Sequence, residues 1–413
     1  MDTNQLLETI GQAVMLNGDN AAIRIVATYE PIAGKGAKIF PPTYAPPKGS
    51  PKDAKSNHLS EQRYRDGVPV RVVLLDAVQS QANRCEEALL AEARSGGVPI
   101  PYLNLDLGAN PPGWMVADIP SLRAPHRWAD AYFRDAVYPD GAPFANSELW
   151  MSLRSASSSR ARALFAHVPT DLVYGFWDSH QGRGTRLSRS YSSEMIGVNP
   201  QFGQRGAVRA DPLNLPKQPV FIGDDKTEWQ LTRTDKSPKQ EDLSTIGHGM
   251  VPSSPKELGK NSSDPPQPIE RGAALETIER VATISLVGLA ALAFPGPGGE
   301  RSQDADRSAR VVLASLALLG DRLAFGGAGL VLRSGCELVL VTERLEFVAK
   351  GAATTAFDLD ANGARALSER AIAAANSAGL DWASKPILLK PSSKLQTLID
   401  KAGSLAEDVD GGG

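Results

Sequence analysis

Five histidines, His58, His126, His167, His180 and His248, are scattered through the 413 residues. None is spaced as HxH, HExxH or a zinc-binding Cys/His set, and neither GxSxG nor a Walker A sequence occurs, so no metal and no cofactor is expected. The cluster nearest to a reactive group is Trp177-Asp178-Ser179-His180, where an acid and a histidine at a strand end could pass a proton. Asp and Ser also end strands through local hydrogen bonds, and the turn is the stronger reading. Gly34-Lys35-Gly36 and Gly182-Arg183-Gly184 could offer backbone N–H groups to a phosphate, but neither matches a nucleotide-binding fingerprint.

Two other groupings point to a different chemistry. Between Asp178 and Asp211 lie Arg183, Arg186, Arg189, Arg205 and Arg209, opposed internally by Glu194 alone. Guanidinium groups on a Gly/Ser-rich backbone pair with successive phosphates without reading bases, and Tyr191 and Phe202 among them could stack on bases. A solvated loop with idle arginines explains the composition equally well. Gln79, Ser80, Gln81, Asn83 and Arg84 open a helix directly after an apolar strand. Polar side chains and free N–H groups there suit a phosphate or a ribose, while capping by Asp76 and a solvated face explain the same residues. Trp114, Trp128, Trp150 and Trp177 read as core or interface residues rather than as platforms for bases.

These groups need elements to hold them. Helices are expected over residues 4–16, 76–94, 126–137, 146–167, 304–325 and 359–378, from apolar positions at helical spacing. In the second of these, Val78, Ala82, Cys85, Ala88 and Leu89 form the apolar stripe, with Gln79, Asn83, Glu86 and Glu87 on other faces. Strands are expected at 21–32, 70–75, 171–177, 275–289 and 386–390, with a hairpin over 329–346 turning at Ser334-Gly335. The Pro- and Lys-rich stretches 34–67 and 224–270 read as long excursions, and 178–211 as a basic one around a short helix or hairpin. The final residues, SLAEDVDGGG, are expected to fray. This order suits an α+β fold with an antiparallel sheet and helices on one side, in a ferredoxin-like or RNA-recognition-motif arrangement.

Composition bounds the function. Apolar residues make up 42% and charged residues 22%, ordinary globular values, and the length allows roughly two to three domains. A net charge of −3 gives no whole-surface case for nucleic acid, so any basic surface must be local. Cys85 and Cys336 read as buried free thiols in a reducing cytoplasm. The N-terminus MDTNQLLETI lacks signal-peptide features. The apolar run Val281–Phe294 falls short of the roughly 20 residues that span a bilayer, and reads as a buried strand entering a turn. A cytoplasmic protein with no membrane partner is expected.

Six blocks in order carry a family resemblance: LLDAVQSQANRCEEAL (Leu74–Leu89), APHRWADAYFRDAVYPDGAPFANSELW (Ala124–Trp150), LFAHVPTDLVYGFWDSHQGRGTRLSRSYSSEMIGVN (Leu164–Asn199), AVRADPLNL (Ala207–Leu215), LSTIGHGMVPSSP (Leu243–Pro255) and DRLAFGGAGLVLRSGCELV (Asp321–Val339). The chain resembles the RAMP-type backbone subunit of the type I-G (formerly I-U) CRISPR interference complex, Cascade. That resemblance, which includes a G-x-W-D-S turn and an SE-I-x-G helix, implies a modified RNA-recognition-motif palm with large finger and thumb insertions. Residues 1–33 would begin the palm, 34–67 form a finger loop, 68–223 carry palm and helical finger, 224–270 a thumb-like insertion, 271–400 the rest of the palm and 401–413 a flexible tail.

It also implies a function in antiviral defence. A non-catalytic subunit would polymerise head to tail with further copies of itself along the guide RNA (crRNA), which it presents to target DNA. Its other partners would be the remaining interference subunits and a recruited nuclease-helicase. Gln79, Ser80, Asn83, Arg84, Arg183, Arg186, Arg189, Arg205 and Arg209 become candidate RNA-backbone contacts, and residues 243–255 a thumb contact with RNA or a neighbour. A sheath that accepts any guide needs phosphate and sugar contacts more than base contacts, and a basic groove more than a basic exterior. The competing readings are a type III-like nuclease using Asp224, Asp225, Asp235 or Asp242, and an RNA-binding scaffold outside CRISPR.

Overall fold

Alternation of apolar and polar residues sets the main sheet. In β1 (Asn20–Pro31), Ile23, Ile25, Ala27 and Tyr29 are buried while Arg24, Val26 and Thr28 between them are half-buried on the opposite face. The structure, a computed structural model, describes residues 1–46, 48–49, 57–108, 116–178, 186–203, 207–209, 212–213, 215, 218–223, 228–248, 251–253 and 271–410, with backbone alone at 207–209, 244, 251–253 and 403–410. The chain divides into two units, the larger formed by Met1–Thr43, Leu59–Gln201 and Ala274–Ser392.

The larger unit holds an eight-stranded antiparallel sheet. Its further strands are β2 (Ser60–Arg65), β3 (Val68–Asp76), β4 (Tyr191–Val198), β5 (Thr277–Ser285), β6 (Gly329–Arg333), β7 (Cys336–Ala349) and β8 (Thr354–Phe357). Their order is β6-β7-β1-β5-β4-β3-β2, with β8 on β7. Opposite the buried side chains of β1, Phe347 faces Ile23 and Leu345 faces Ile25.

Four helices cover the buried face or pack on those that do: α1 (Thr3–Ala13), α2 (Val78–Arg94), α3 (Gln303–Phe325) and α4 (Ala361–Ser377). In α3, apolar side chains are buried on almost every side, as befits the central helix. Ser302 caps it by accepting from the Ala305 N–H at 3.2 Å, and Asp304 and Asp306 complement its dipole. Within the sheet, β1–α2–β4–β5–α3–β7 is a strand-helix-strand-strand-helix-strand path, and its four strands lie in the order fourth, first, third, second. The β2–β3 hairpin is inserted before α2.

The sheet curls. Arg333, at the end of edge strand β6, donates to the Leu75 carbonyl in β3, near the other edge, at 2.9 Å. Arg84 of α2 donates to Asp76 at 2.9 Å and to the Leu332 carbonyl at 3.0 Å. These bonds fasten the two ends of the sheet together.

Several expectations are corrected. Residues 171–177 are a helix, Thr170–Tyr174, and then a strand of only Phe176–Trp177. The SE-I-x-G segment is not a helix: it lies in β4, a central strand. The long helices expected near 126–137 and 146–167 are broken into Arg127–Ala129, Ala131–Arg134, Glu148–Arg154 and Arg162–His167. The strand expected to reach residue 289 stops at Ser285, whose Oγ accepts from the Gly288 N–H at 3.0 Å and caps the short helix Leu286–Ala290. Residues 60–65, placed in a finger loop, are strand β2. Both cysteines are free and buried, as expected.

The smaller unit comprises Tyr44–His58, Phe202–Ala273 and Ser393–Gly413. Pro219–Ile222 forms the middle of a three-stranded sheet with Trp229–Gln230 and Lys239–Asp242. Ala207–Arg209 pairs with Val251–Ser253. Regular structure thus enters the described part of the 224–270 excursion. A helix, Ser393–Asp410, occupies most of the stretch expected to fray. No helix among the described residues is long and apolar enough to cross a membrane.

Candidate nucleic-acid interface

The face of the main sheet away from the helices is a poor platform for bases. On β1, β4, β5 and β7 its described side chains include no aromatic ring, and its arginines are matched to carboxylates. Arg24 and Arg344 both reach Glu346, the latter at 3.0 Å; Arg63 pairs with Glu194 and Arg65 with Glu279. Base stacking in the manner of an RNA-recognition motif needs exposed rings that this face lacks.

A groove beside the start of α2 has the opposite character. Its wall begins where the helix Thr170–Tyr174 ends at Gly175, in the left-handed region at φ +79°. A Cβ there would stand 2.9 Å from both the Leu187 carbonyl oxygen and the Arg189 nitrogen, so only glycine allows the backbone at 187–189 to come this close. Phe176–Trp177 and Arg186–Leu187 then form a two-stranded antiparallel ribbon, in which Trp177 faces Arg186 and Phe176 faces Leu187. Alternation sends Phe176 inward, edge-on to Trp128 at 5.5 Å, and leaves Trp177 58% exposed. Ser190 fastens the far end of the ribbon: its N–H donates to the Val173 carbonyl at 2.9 Å and its Oγ to the Leu172 carbonyl at 3.1 Å.

The floor is an ion-paired layer. Arg127, itself at φ +51°, donates to both oxygens of Glu86 at 2.7 and 2.8 Å and to the Gly175 carbonyl at 2.9 Å. Arg123 holds Glu87 in the same two-pronged way, at 2.7 and 2.8 Å. Burial raises the Glu86 carboxyl above the ordinary range, opposed by Arg127. Behind Arg127, burial pushes the fully enclosed Asp171 up to about 8, against the pull of the same guanidinium.

With Glu86 and Glu87 of α2 occupied by Arg127 and Arg123, Arg186 and Arg189 have no carboxylate partner among the described residues. Two adjoining cavities, about 400 and 560 Å³, share Gln79, Pro125, Arg127, Tyr174 and Arg189; the first reaches Asn83 and Arg123, the second Trp177 and Arg186. The first turn of α2 also has no side-chain cap, since its N-cap is Ala77.

The structure therefore brings together Gln79, Asn83, Arg186 and Arg189, taken from two separate groupings in the sequence. Ser80 and Arg84 lie instead beside a third cavity, about 390 Å³, with Asn83, Phe325 and Leu330. Arg84 is engaged in the clasp between Asp76 and the β6 carbonyls. Arg183 and Arg205 lie outside the described residues, as do Asp224, Asp225, His180 and Trp114. Arg209 is described by its backbone alone, in the smaller unit. Asp235 and Asp242 are exposed in that unit. Of the 243–255 segment, Leu243–Ile246 is a 3-10 turn and Val251–Ser253 a strand.

Tyr191 cannot stack on a base as expected: it is buried, and its hydroxyl donates to Asp321 at 2.7 Å. Phe202, in the smaller unit, stacks on His58 at 5.7 Å. Trp128 and Trp150 belong to the core, edge-to-face at 5.5 Å, but Trp177 is exposed and not a core residue. Glu86, placed off the apolar stripe of α2, is buried under Arg127. The sequence reading missed Arg123, Arg127 and Trp177 as parts of the groove. The available signal for Trp177 was the Gly175 break, which resets the alternation so that Phe176 and Trp177 cannot both point inward.

No curated protein matches the chain. Residues 23–201 match the model of a family described as CRISPR-associated protein GSU0053. The matched segment runs from β1 to the end of β4 and contains every residue that lines the groove. The likeness is of this segment, less than half of the chain, to a CRISPR-associated family.

Proposed function

We propose that the chain is the guide-RNA-binding backbone subunit of a type I-G CRISPR interference complex, and that it catalyses no reaction itself. The observation that carries this reading is the meeting of unpaired Arg186 and Arg189 with Gln79 and Asn83 in one groove, inside the segment that matches a CRISPR-associated family. Two cations and two amides, over a floor whose carboxylates Glu86 and Glu87 are already held by Arg127 and Arg123, suit a ribose-phosphate strand, and they ask nothing of its sequence.

The strand order fourth-first-third-second is that of a split βαβ or RNA-recognition-motif palm, which supports reading the larger unit as the palm of such a subunit. On this reading, copies join head to tail along the crRNA in the cytoplasm and leave its bases free to pair with target DNA. The other interference subunits and a recruited nuclease-helicase complete the complex. Head-to-tail contacts are heterologous and build an open helical ribonucleoprotein filament.

The test is to express the chain with its neighbouring genes and a CRISPR array, purify the particle and extract its nucleic acid. A discrete guide RNA is expected, and a nucleic-acid-free particle contradicts the reading. Incubating the particle with complementary RNA and Mg²⁺ addresses the second half: intact RNA is expected, whereas regularly spaced cuts would identify a type III-like nuclease.

A further inference from the structure

We propose that Trp177 is a stacking platform for one nucleobase of a single-stranded RNA, whose adjoining phosphates rest on Arg186 and Arg189. This rests on the reading of the groove as an RNA site and assigns a residue that the arginine argument does not need.

Three observations carry it. The ribbon register places Trp177 directly opposite Arg186, and side chains so paired leave the same face with Cβ atoms about 4.5–5.5 Å apart. An indole and a guanidinium therefore leave the ribbon as cross-strand neighbours on one face. Second, Trp177 is exposed although its neighbour Phe176 is buried against Trp128, so the indole is held out by a fixed backbone. Gly175, Ser190 and the bond from Arg127 to the Gly175 carbonyl fix that backbone. Third, the cavity that Trp177 and Arg186 line measures about 560 Å³, within the usual range for sites that enclose a small ligand. A rigid, exposed indole beside unpaired cations matches what a stacked nucleotide requires: a π-face for the base and positive charge for the phosphate. Stacking accepts any base, which agrees with a protein that must accept any guide.

The test compares two probes on the full-length chain, oligoadenylate and the same ribose-phosphate polymer lacking its bases. Wild type should bind oligoadenylate more tightly than the abasic polymer, with quenching of tryptophan fluorescence by the bases. Trp177→Ala should weaken oligoadenylate binding by about 5- to 150-fold, the range for loss of one base–aromatic stack, and leave the abasic polymer unaffected. Trp177→Phe should keep most of the affinity. Arg186→Ala with Arg189→Ala should weaken both polymers alike. If Trp177→Ala is silent, or weakens both polymers equally while its melting temperature matches wild type, the stacking platform is overturned and the RNA groove stands. If wild type binds neither polymer, the RNA reading itself fails, and the platform with it.

Discussion

Gly175 and Arg189 approach so closely that a single methyl group on the former would lie 2.9 Å from the backbone nitrogen of the latter. The groove wall therefore depends on a residue without a side chain, at a left-handed φ of +79°. Gly175→Ala meets two costs, a conformational penalty of about 1–3 kcal/mol for an L-residue at φ 79° and ψ 162° and a clash with backbone that Ser190 holds in place. The expected result is a lowered melting temperature together with RNA affinity reduced beyond the loss of folded protein. Unchanged affinity would show that the ribbon has no part in binding.

Arg84 separates a structural arginine from the binding ones. Its donors go to the buried Asp76 and to the carbonyls of Val331 and Leu332, which close the curl of the sheet. Arg84→Ala leaves the buried Asp76 carboxylate with the Gln81 hydrogen bond and the more distant Arg333 guanidinium, at 3.9 Å, and should cost less than the roughly 3–5 kcal/mol of a charge left with no partner, in denaturant unfolding. RNA affinity per folded molecule should hold. A stable variant with lost affinity would return Arg84 to the binding set.

The elements that were legible in the sequence are those whose burial follows a simple period. β1 alternates, α2 and α3 repeat at helical spacing, and the β6–β7 hairpin turns at Ser334-Gly335. The residues of β4 read as part of a basic excursion because its helix-side residues include Ser193 and Gly197, and its other face carries Ser192 and Glu194. No apolar alternation survives in such a strand, and only its neighbours β3 and β5 reveal it. The run DLVYGFW is apolar enough for a strand, but Gly175 divides it into a helix and a ribbon. Half of the groove, Gln79, Asn83, Arg186 and Arg189, was readable as polar and cationic residues that the core does not need. Arg123 and Arg127 were not, because their role is to neutralise Glu87 and Glu86, and that pairing is long-range.

A second arginine of the fold sits at the centre of the helix–sheet interface. Arg280 of β5 is fully buried, bonded to Asp321 of α3 and to the Tyr191 hydroxyl at 2.7 Å, and lies over the Phe325 ring at 3.7 Å. Burial opposes the ionised Asp321, but Arg280 and Arg322 outweigh it and hold the carboxyl at about 2. Arg280→Met alone leaves that charge without its main partner and should cost about 3–5 kcal/mol in urea unfolding. Arg280→Met with Asp321→Leu should regain part of the loss. Equal destabilisation by the single and double variants would contradict the pairing.

Asp171 gives the pH dependence a definite sign. Its folded value of about 8 lies above the ordinary carboxyl value near 3.9, so between them the folded state holds a proton that the unfolded state has released. The stability linked to that proton is full below about pH 4 and declines as pH rises toward 8, at up to about 1.4 kcal/mol per unit. Asp171→Asn can still accept the Trp128 N–H and cannot ionise. Its advantage over wild type in thermal unfolding should grow from pH 4 to 8. A constant difference across that window would contradict a buried neutral Asp171.

The most direct test of the RNA groove is the salt dependence of single-stranded RNA affinity for wild type and for Arg186→Ala with Arg189→Ala. Each phosphate contact contributes about 0.7 to the slope of log affinity against log salt for a single strand. The double variant should bind every sequence more weakly and lose about 1.4 from that slope, with its melting temperature unchanged. Affinity and slope equal to those of wild type would contradict the assignment of this groove to the RNA backbone.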